Sequence, residues 1–305
     1  MWRYTKSNKL FQFLKDKKKE KKDVSLVLST GGARGLAHVG AIDQLLSMGY
    51  HIRAVSGTSM GALVGGMYAA GKLEEFKQWM QTIDRKKILS LIDFSFSISH
   101  ISKGERIIKA LKDVVPDVNI EDLPIPYSAV ATDAITGTEV VFTSGSLYEA
   151  IRASISLPLF FSPVKSDGRL LVDGGLVNPL PLNRVMRSKE DLLVAVNVSG
   201  HDYLGQVKLR KVVRETASER SRMMSFINRI IPEDADINYY TLMNRSVSIM
   251  IQKNAELSVK LLRPDILIDI PMNRYDTFDF DKYDRLAGIG RAKTKKAIER
   301  WLQAK

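Results

Sequence analysis

Three short stretches carry the residue types that acyl-transfer chemistry needs. The first is Gly57-Thr58-Ser59-Met60-Gly61, a G-x-S-x-G pattern. A short apolar run from Ile52 leads into it. An Ala/Gly/Leu-rich segment, Ala62 to Ala70, leads out, and Gly71 stands where a helix C-cap glycine belongs. Strand, sharp turn and helix form the context of a nucleophile elbow. Ser59 then sits at a strained turn with its hydroxyl exposed, and Gly57 and Gly61 must be small. Gly65 and Gly66 let the following helix pack closely on the sheet.

The second stretch is Thr30-Gly31-Gly32-Ala33-Arg34-Gly35, between a buried strand (Val24 to Ser29) and a helix from about Leu36 to Gly49. Backbone N–H groups at such a junction can point at an anion, helped by the helix N-terminus. Two ligands fit: a phosphate, or the oxyanion of an acyl-transfer intermediate. The dinucleotide pattern G-x-G-x-x-G ending at Gly35 needs glycine at position 30, where Thr30 stands, and His51-Ile52-Arg53 occupy the place of the expected acidic residue. A second strand that delivers Ser59 favours the oxyanion.

The third is Asp173-Gly174-Gly175 at the end of a strand, Arg169 to Val172. Asp-Gly alone is usually a turn. Beside a G-x-S-x-G that lacks a base, Asp173 becomes a candidate base. Histidine is the alternative, and a Ser59, Asp173, His201 triad has the α/β-hydrolase chain order. His38, early in the first helix, reads as structural. The serines of the Ser154-Ile155-Ser156-Leu157-Pro158 loop read as structural rather than catalytic.

The elements that must position these groups alternate along the chain. Tyr127 to Asp133, Glu139 to Phe142 and Asp191 to Val198 read as strands, with a short helix from Ser146 to Ala153. Residues 72–120 read as helical and polar, with Trp79, Ile83, Ile88, Leu89 and Leu91 as core candidates. A long helix from Ile237 to Lys260, a strand from Pro264 to Ile270 and a closing helix from Leu286 to Gln303 complete the series. Strands alternating with helices argue for a largely parallel, doubly wound sheet. One domain is expected over residues 24–305, after a basic tail, 1–23.

The chain of 305 residues contains no cysteine, which excludes disulfides and thiolate metal sites. Its four histidines have no metal-ligand spacing, so neither metal nor cofactor is expected. The net charge of +12 is concentrated. Residues 1–23 hold nine Lys/Arg and three Asp/Glu, and residues 208–229 hold seven and two. Such patches attract an anionic surface. A membrane fits better than nucleic acid, for which no binding motif is present. Leu10, Phe13 and Leu14 share a helical face, as in an interfacial anchor; a frayed tail with a solvated lysine run looks the same and is favoured. Met223, Phe226, Ile227 and Ile230 share another face, either core or part of a lid spanning 204–231. No apolar run is long enough to span a bilayer and no secretory signal is recognisable, so a cytoplasmic protein, peripheral at the inner membrane face, is expected.

In this order, Gly31-Gly32-Ala33-Arg34-Gly35, Gly57-Thr58-Ser59-Met60-Gly61 and Asp173-Gly174-Gly175 resemble the patatin-like phospholipase family, as does the Ala153-to-Pro158 block. The resemblance is specific over about residues 24–200; Thr30 departs from it, where many members have glycine. It implies an α/β-hydrolase-type three-layer fold, a mostly parallel sheet with helices on both faces. It also implies a lipid ester hydrolase with a Ser59–Asp173 dyad and no catalytic histidine. By the same resemblance, the amides of Gly31, Gly32, Ala33, Arg34 and Gly35 form the oxyanion hole, with the Arg34 side chain either helping or bracing the loop. A non-catalytic lipid- or protein-binding regulator on the same fold is the alternative.

Overall fold

A computed structural model describes residues 22–84, 86, 87, 90, 104–158, 160–201, 239–271, 275 and 279–304. Its strands are β1 (Asp23–Leu28), β2 (His51–Thr58), β3 (Tyr127–Asp133), β4 (Glu139–Phe142), β5 (Val164–Ser166), β6 (Arg169–Asp173), β7 (Leu192–Gly200) and β8 (Ile266–Pro271). Its helices are α1 (Ala37–Ser47), α2 (Met60–Ala69), α3 (Leu73–Gln81), α4 (Glu105–Lys112), α5 (Leu147–Ser154), α6 (Tyr239–Leu262) and α7 (Tyr283–Gln303). The tail 1–21 and the segment 202–238, with the expected lid and second basic stretch, lie outside the described residues.

The strands join one mixed sheet of eight, in which β3-β2-β1-β7-β8 run parallel and β4, β5 and β6 add antiparallel pairings. The central strands β1 and β7 are apolar on both faces because both faces are covered. Val24, Leu26 and Leu28 of β1 join the main core with Leu192, Val194, Val196 and Val198 of β7, under α1, α2, α3, α5 and α7. Val27, Leu193 and Ala195 point the other way, to a smaller core with Leu180, Leu182 and Ala255 of α6. This is the three-layer arrangement with helices on both faces. The two-residue turn at Asp167-Gly168, both at positive φ, pairs β5 with β6.

The helical reading of 72–120 is corrected. Helix α3 ends at Gln81 and α4 at Lys112, and no helix covers 113–119. Pro116 explains the second stop, since the residue before a proline is driven out of helical geometry. Ile83 is buried and Trp79 packs at the core margin, beside Leu73, Phe76 and Met80. Ile88, Leu89 and Leu91 lie outside the described residues. Among the described residues no helix is long and apolar enough to cross a membrane.

Candidate active site

The register of β3 brings the three stretches together. One edge of β3 carries β4, opposite Ala129 to Thr132. The other edge is shared. Strand β2 pairs along it up to Thr58, opposite Val130; β6 takes over at the next residue, with Asp173 opposite Ala131. Each residue of a strand has one neighbour on each side, so β2 and β6 meet end to end on one edge. Ser59 leaves that junction from one side and Asp173 arrives from the other.

Ser59 has φ 57° and ψ −123°, in a region that side-chain-bearing residues rarely adopt. Helix α2 begins at the next residue. The strained turn matches expectation, but the residue is only 7% exposed, because Asp173 and Ser154 close around it. The Ser59 Oγ donates to Asp173 Oδ2 at 2.6 Å. The Ser59 N–H donates to Ser154 Oγ at 2.8 Å, and that hydroxyl donates onward to the Val130 carbonyl at 2.6 Å. Asp173 is fixed from several directions. Its Oδ1 accepts from the Gly175 N–H at 2.7 Å, its N–H donates to the Ser156 carbonyl at 2.9 Å, and its carbonyl accepts from Thr132 Oγ1 at 2.9 Å. With Asp173 2% exposed, burial pushes its carboxyl up to about 6, against the Ser59 and Gly175 hydrogen bonds, which favour the charged form.

Close approach explains the motif glycines. A side chain at Gly57 would strike the Gly61 backbone, and one at Gly61 the Leu28 carbonyl. At Gly174 it would enter the Val130 carbonyl, and at Gly175 it would crowd Asp173 Oδ1 and Thr30 at 3.0 Å. Gly35 lies hard against Met60, so the loop of the second stretch touches the turn that holds Ser59. That loop forms a short 3-10 turn, Gly32–Leu36, leading directly into α1. The first N–H groups of such a turn have no acceptor within it. The Thr30 carbonyl accepts from Ser29 Oγ and Ser199 Oγ, both at 3.0 Å, which anchors the loop to β7.

Arg34 Nη1 donates to the Tyr275 carbonyl at 3.0 Å, the bracing contact weighed in the sequence. His38 is fully buried and its Nε2 donates to the Ser29 carbonyl at 2.8 Å. Burial lowers its pKa to about 4, leaving a neutral structural ring. His201 faces Glu256 of α6, with Nε2 3.8 Å from Oε1, while Ser59 bonds directly to Asp173. The precise roles of Ser154, Thr132 and Ser199 escape sequence reading. For Ser154 the signal was its adjacency to the loop, which gave a structural role without a partner. Among the described residues, no three His, Asp or Glu side chains group so as to hold a metal.

Comparison with known proteins now adds to this geometry. The model of patatin-like phospholipases matches residues 26–186. The chain belongs to the patatin-like phospholipase family. The mixed sheet with helices on both faces is the α/β patatin fold. An uncharacterised NTE family protein of Mycobacterium tuberculosis is 33% identical over 90% of this chain and 91% of its own length. Neuropathy target esterase sws of Drosophila melanogaster is 33% identical over 59% of this chain but only 13% of that much longer protein. Among solved structures, VipD from Legionella pneumophila aligns with a TM-score of 0.46 at 16% identity, over 92% of this chain and 67% of that one. Each patatin-like motif region falls inside the matched segment, and β7, α6, β8 and α7 lie beyond it.

Proposed function

We propose that this chain is a serine lipid acyl hydrolase, a carboxylic ester hydrolase of phospholipase or lysophospholipase type. The observation that carries the reading is the 2.6 Å hydrogen bond from Ser59 Oγ to the buried Asp173 carboxylate. A nucleophile held against a base, with the base oriented by a third group, is the geometry of covalent acyl transfer. Here the Gly175 N–H does the orienting.

In the proposed reaction, Ser59 Oγ attacks the ester carbonyl carbon while its proton passes to Asp173 Oδ2. The negative charge that develops on the carbonyl oxygen is received by backbone N–H groups of Gly31–Gly35, with Gly32 and Ala33 best placed at the head of the turn. The Met60 N–H, at the start of α2, is a further donor of the kind used at nucleophile elbows. Arg34 contributes its backbone; its side chain braces the loop. The departing alcohol takes the proton from Asp173. Water, deprotonated by Asp173, then attacks the acyl carbon; the bond to Ser59 Oγ breaks, Asp173 returns the proton to that oxygen, and the acyl group leaves as a carboxylic acid.

The substrate class follows from family membership: a lipid ester, with the basic stretches 1–23 and 208–229 attracting anionic headgroups at a membrane surface. Fluorophosphonate labelling followed by mass spectrometry tests the reading. The expected adduct sits on Ser59 and is absent from Ser59→Ala. Ester hydrolysis falls by about 10³-fold or more in Ser59→Ala and in Asp173→Asn and persists in His201→Ala. A folded, unlabelled wild type overturns the catalytic reading in favour of a non-catalytic lipid-binding protein. Loss of activity in His201→Ala overturns the dyad.

A further inference from the structure

Helix α6 is apolar on two faces: Ala255 and Val259 pack into the smaller core, and a second apolar row faces outward. Its inward face holds Ala255, fully buried, and Gln252, whose Nε2 donates to the Gly200 carbonyl at 3.0 Å. Its outward face holds Leu242, Met243, Ile249, Met250, Leu257 and Leu261, all exposed, with Leu257 at 53% and Leu261 at 79%. At 100° per residue these six fall within one arc about 120° wide, while Leu262, also exposed, lies outside it. Lys253 and Lys260 lie in the same arc, and Glu256 stands at its edge, ion-paired to Lys253 at 2.8 Å. A surface helix normally turns its apolar stripe to the core; contiguous exposed apolar area marks a binding face.

The structure assigns this outer face of α6 to docking on an anionic lipid surface. Charge selects that occupant. Between Tyr239 and Arg263 the helix and its end carry Arg245, Lys253, Lys260 and Arg263 against Glu256 alone. Lysines set among leucines match a headgroup layer, where apolar side chains enter the acyl boundary and ammonium groups meet phosphates. A second copy would bring lysine against lysine. The helix is also coupled to the site: Asn254 Nδ2 donates to the Leu176 carbonyl at 3.3 Å, three residues after Asp173. Docking there holds the bilayer on the outer side of the helix whose other side touches the turn that carries the proposed base. The choice of a lipid surface rests on the hydrolase reading above.

The test uses the full chain with vesicles of phosphatidylcholine alone or mixed equally with phosphatidylglycerol. Wild type and Ser59→Ala are expected to co-sediment with the anionic vesicles. Leu257→Glu with Leu261→Glu is expected to lower that partition by at least about tenfold, and Lys253→Gln with Lys260→Gln by a similar factor, with hydrolysis of a water-soluble short-chain ester unchanged. Because the chain has no cysteine, Leu257→Cys supplies a single thiol for an environment-sensitive dye, expected to shift to the blue on anionic vesicles. Unchanged vesicle binding in the leucine variant overturns the proposal. So does a variant that loses self-association but keeps vesicle binding, which makes the face a contact between copies. So does a thiol that resists labelling in the free protein, which means the chain covers this face itself. Binding without fluorophosphonate labelling leaves docking standing and removes the hydrolase; labelling without binding does the reverse.

Discussion

An aspartate free in water, with a pKa of about 3.9, takes a proton from serine poorly. Burial moves Asp173 to about 6. On the proposed mechanism the ionised form is the base, so kcat/KM rises with pH through about 6 and is roughly 100-fold lower at pH 4 than on its plateau; a pH–rate profile on a soluble ester reads this directly. The same shift acts on stability with the opposite sense. A folded-state pKa raised above the unfolded value means that the native state binds the proton more tightly. The stabilising contribution is therefore full below about pH 4 and is lost as pH rises through about 6. Asp173→Asn removes that loss. We expect the variant to be more stable than wild type by about 2–3 kcal/mol at pH 7.5, with the gain vanishing at pH 4, by thermal or denaturant unfolding at the two pH values. The three motifs were legible because each is a short run of adjacent residues. Thr132 and Ser199 were not, and Ser154 read as structural without its partner, because a lone hydroxyl takes its meaning from what register places opposite it.

At the scale of elements, the site depends on how closely backbones approach. Gly174 lies against the Val130 carbonyl, so Gly174→Ala must push β6 away from β3 at the residue where Asp173 is delivered. We expect a stability loss of about 1–3 kcal/mol, with hydrolysis falling more than the folded fraction does. Ser154→Ala leaves the Ser59 N–H without its acceptor and should cost about 1–3 kcal/mol by chemical unfolding, while slowing acylation through a looser turn. Strands were legible to within a residue or two at most of their ends, since apolar runs bounded by glycine and proline leave few alternatives. Strand β5, three residues long with one apolar side chain, gives no periodic signal. The end-to-end meeting of β2 and β6 was hidden for another reason: pairing partners distant in sequence leave no local trace.

Across the whole molecule, α7 closes the fold by lying against α1. Gly40 meets the Ala287 carbonyl and Gly290 meets the Ala37 carbonyl, so the two helices touch backbone to backbone. A methyl group at either glycine forces them apart. Gly290→Ala should destabilise by about 2–3 kcal/mol in denaturant unfolding. It should also weaken hydrolysis, because α1 continues directly from the Gly32–Leu36 turn. The handover on the shared edge of β3 has a further consequence, one of timing. Ser59 and Asp173 are 114 positions apart, and synthesis runs from the N-terminus. A growing chain that has laid down β1, β2 and β3 possesses its nucleophile but no base. Under the proposed mechanism it stays inert until β6 docks, so the reactive serine is armed late, when most of the sheet already surrounds it.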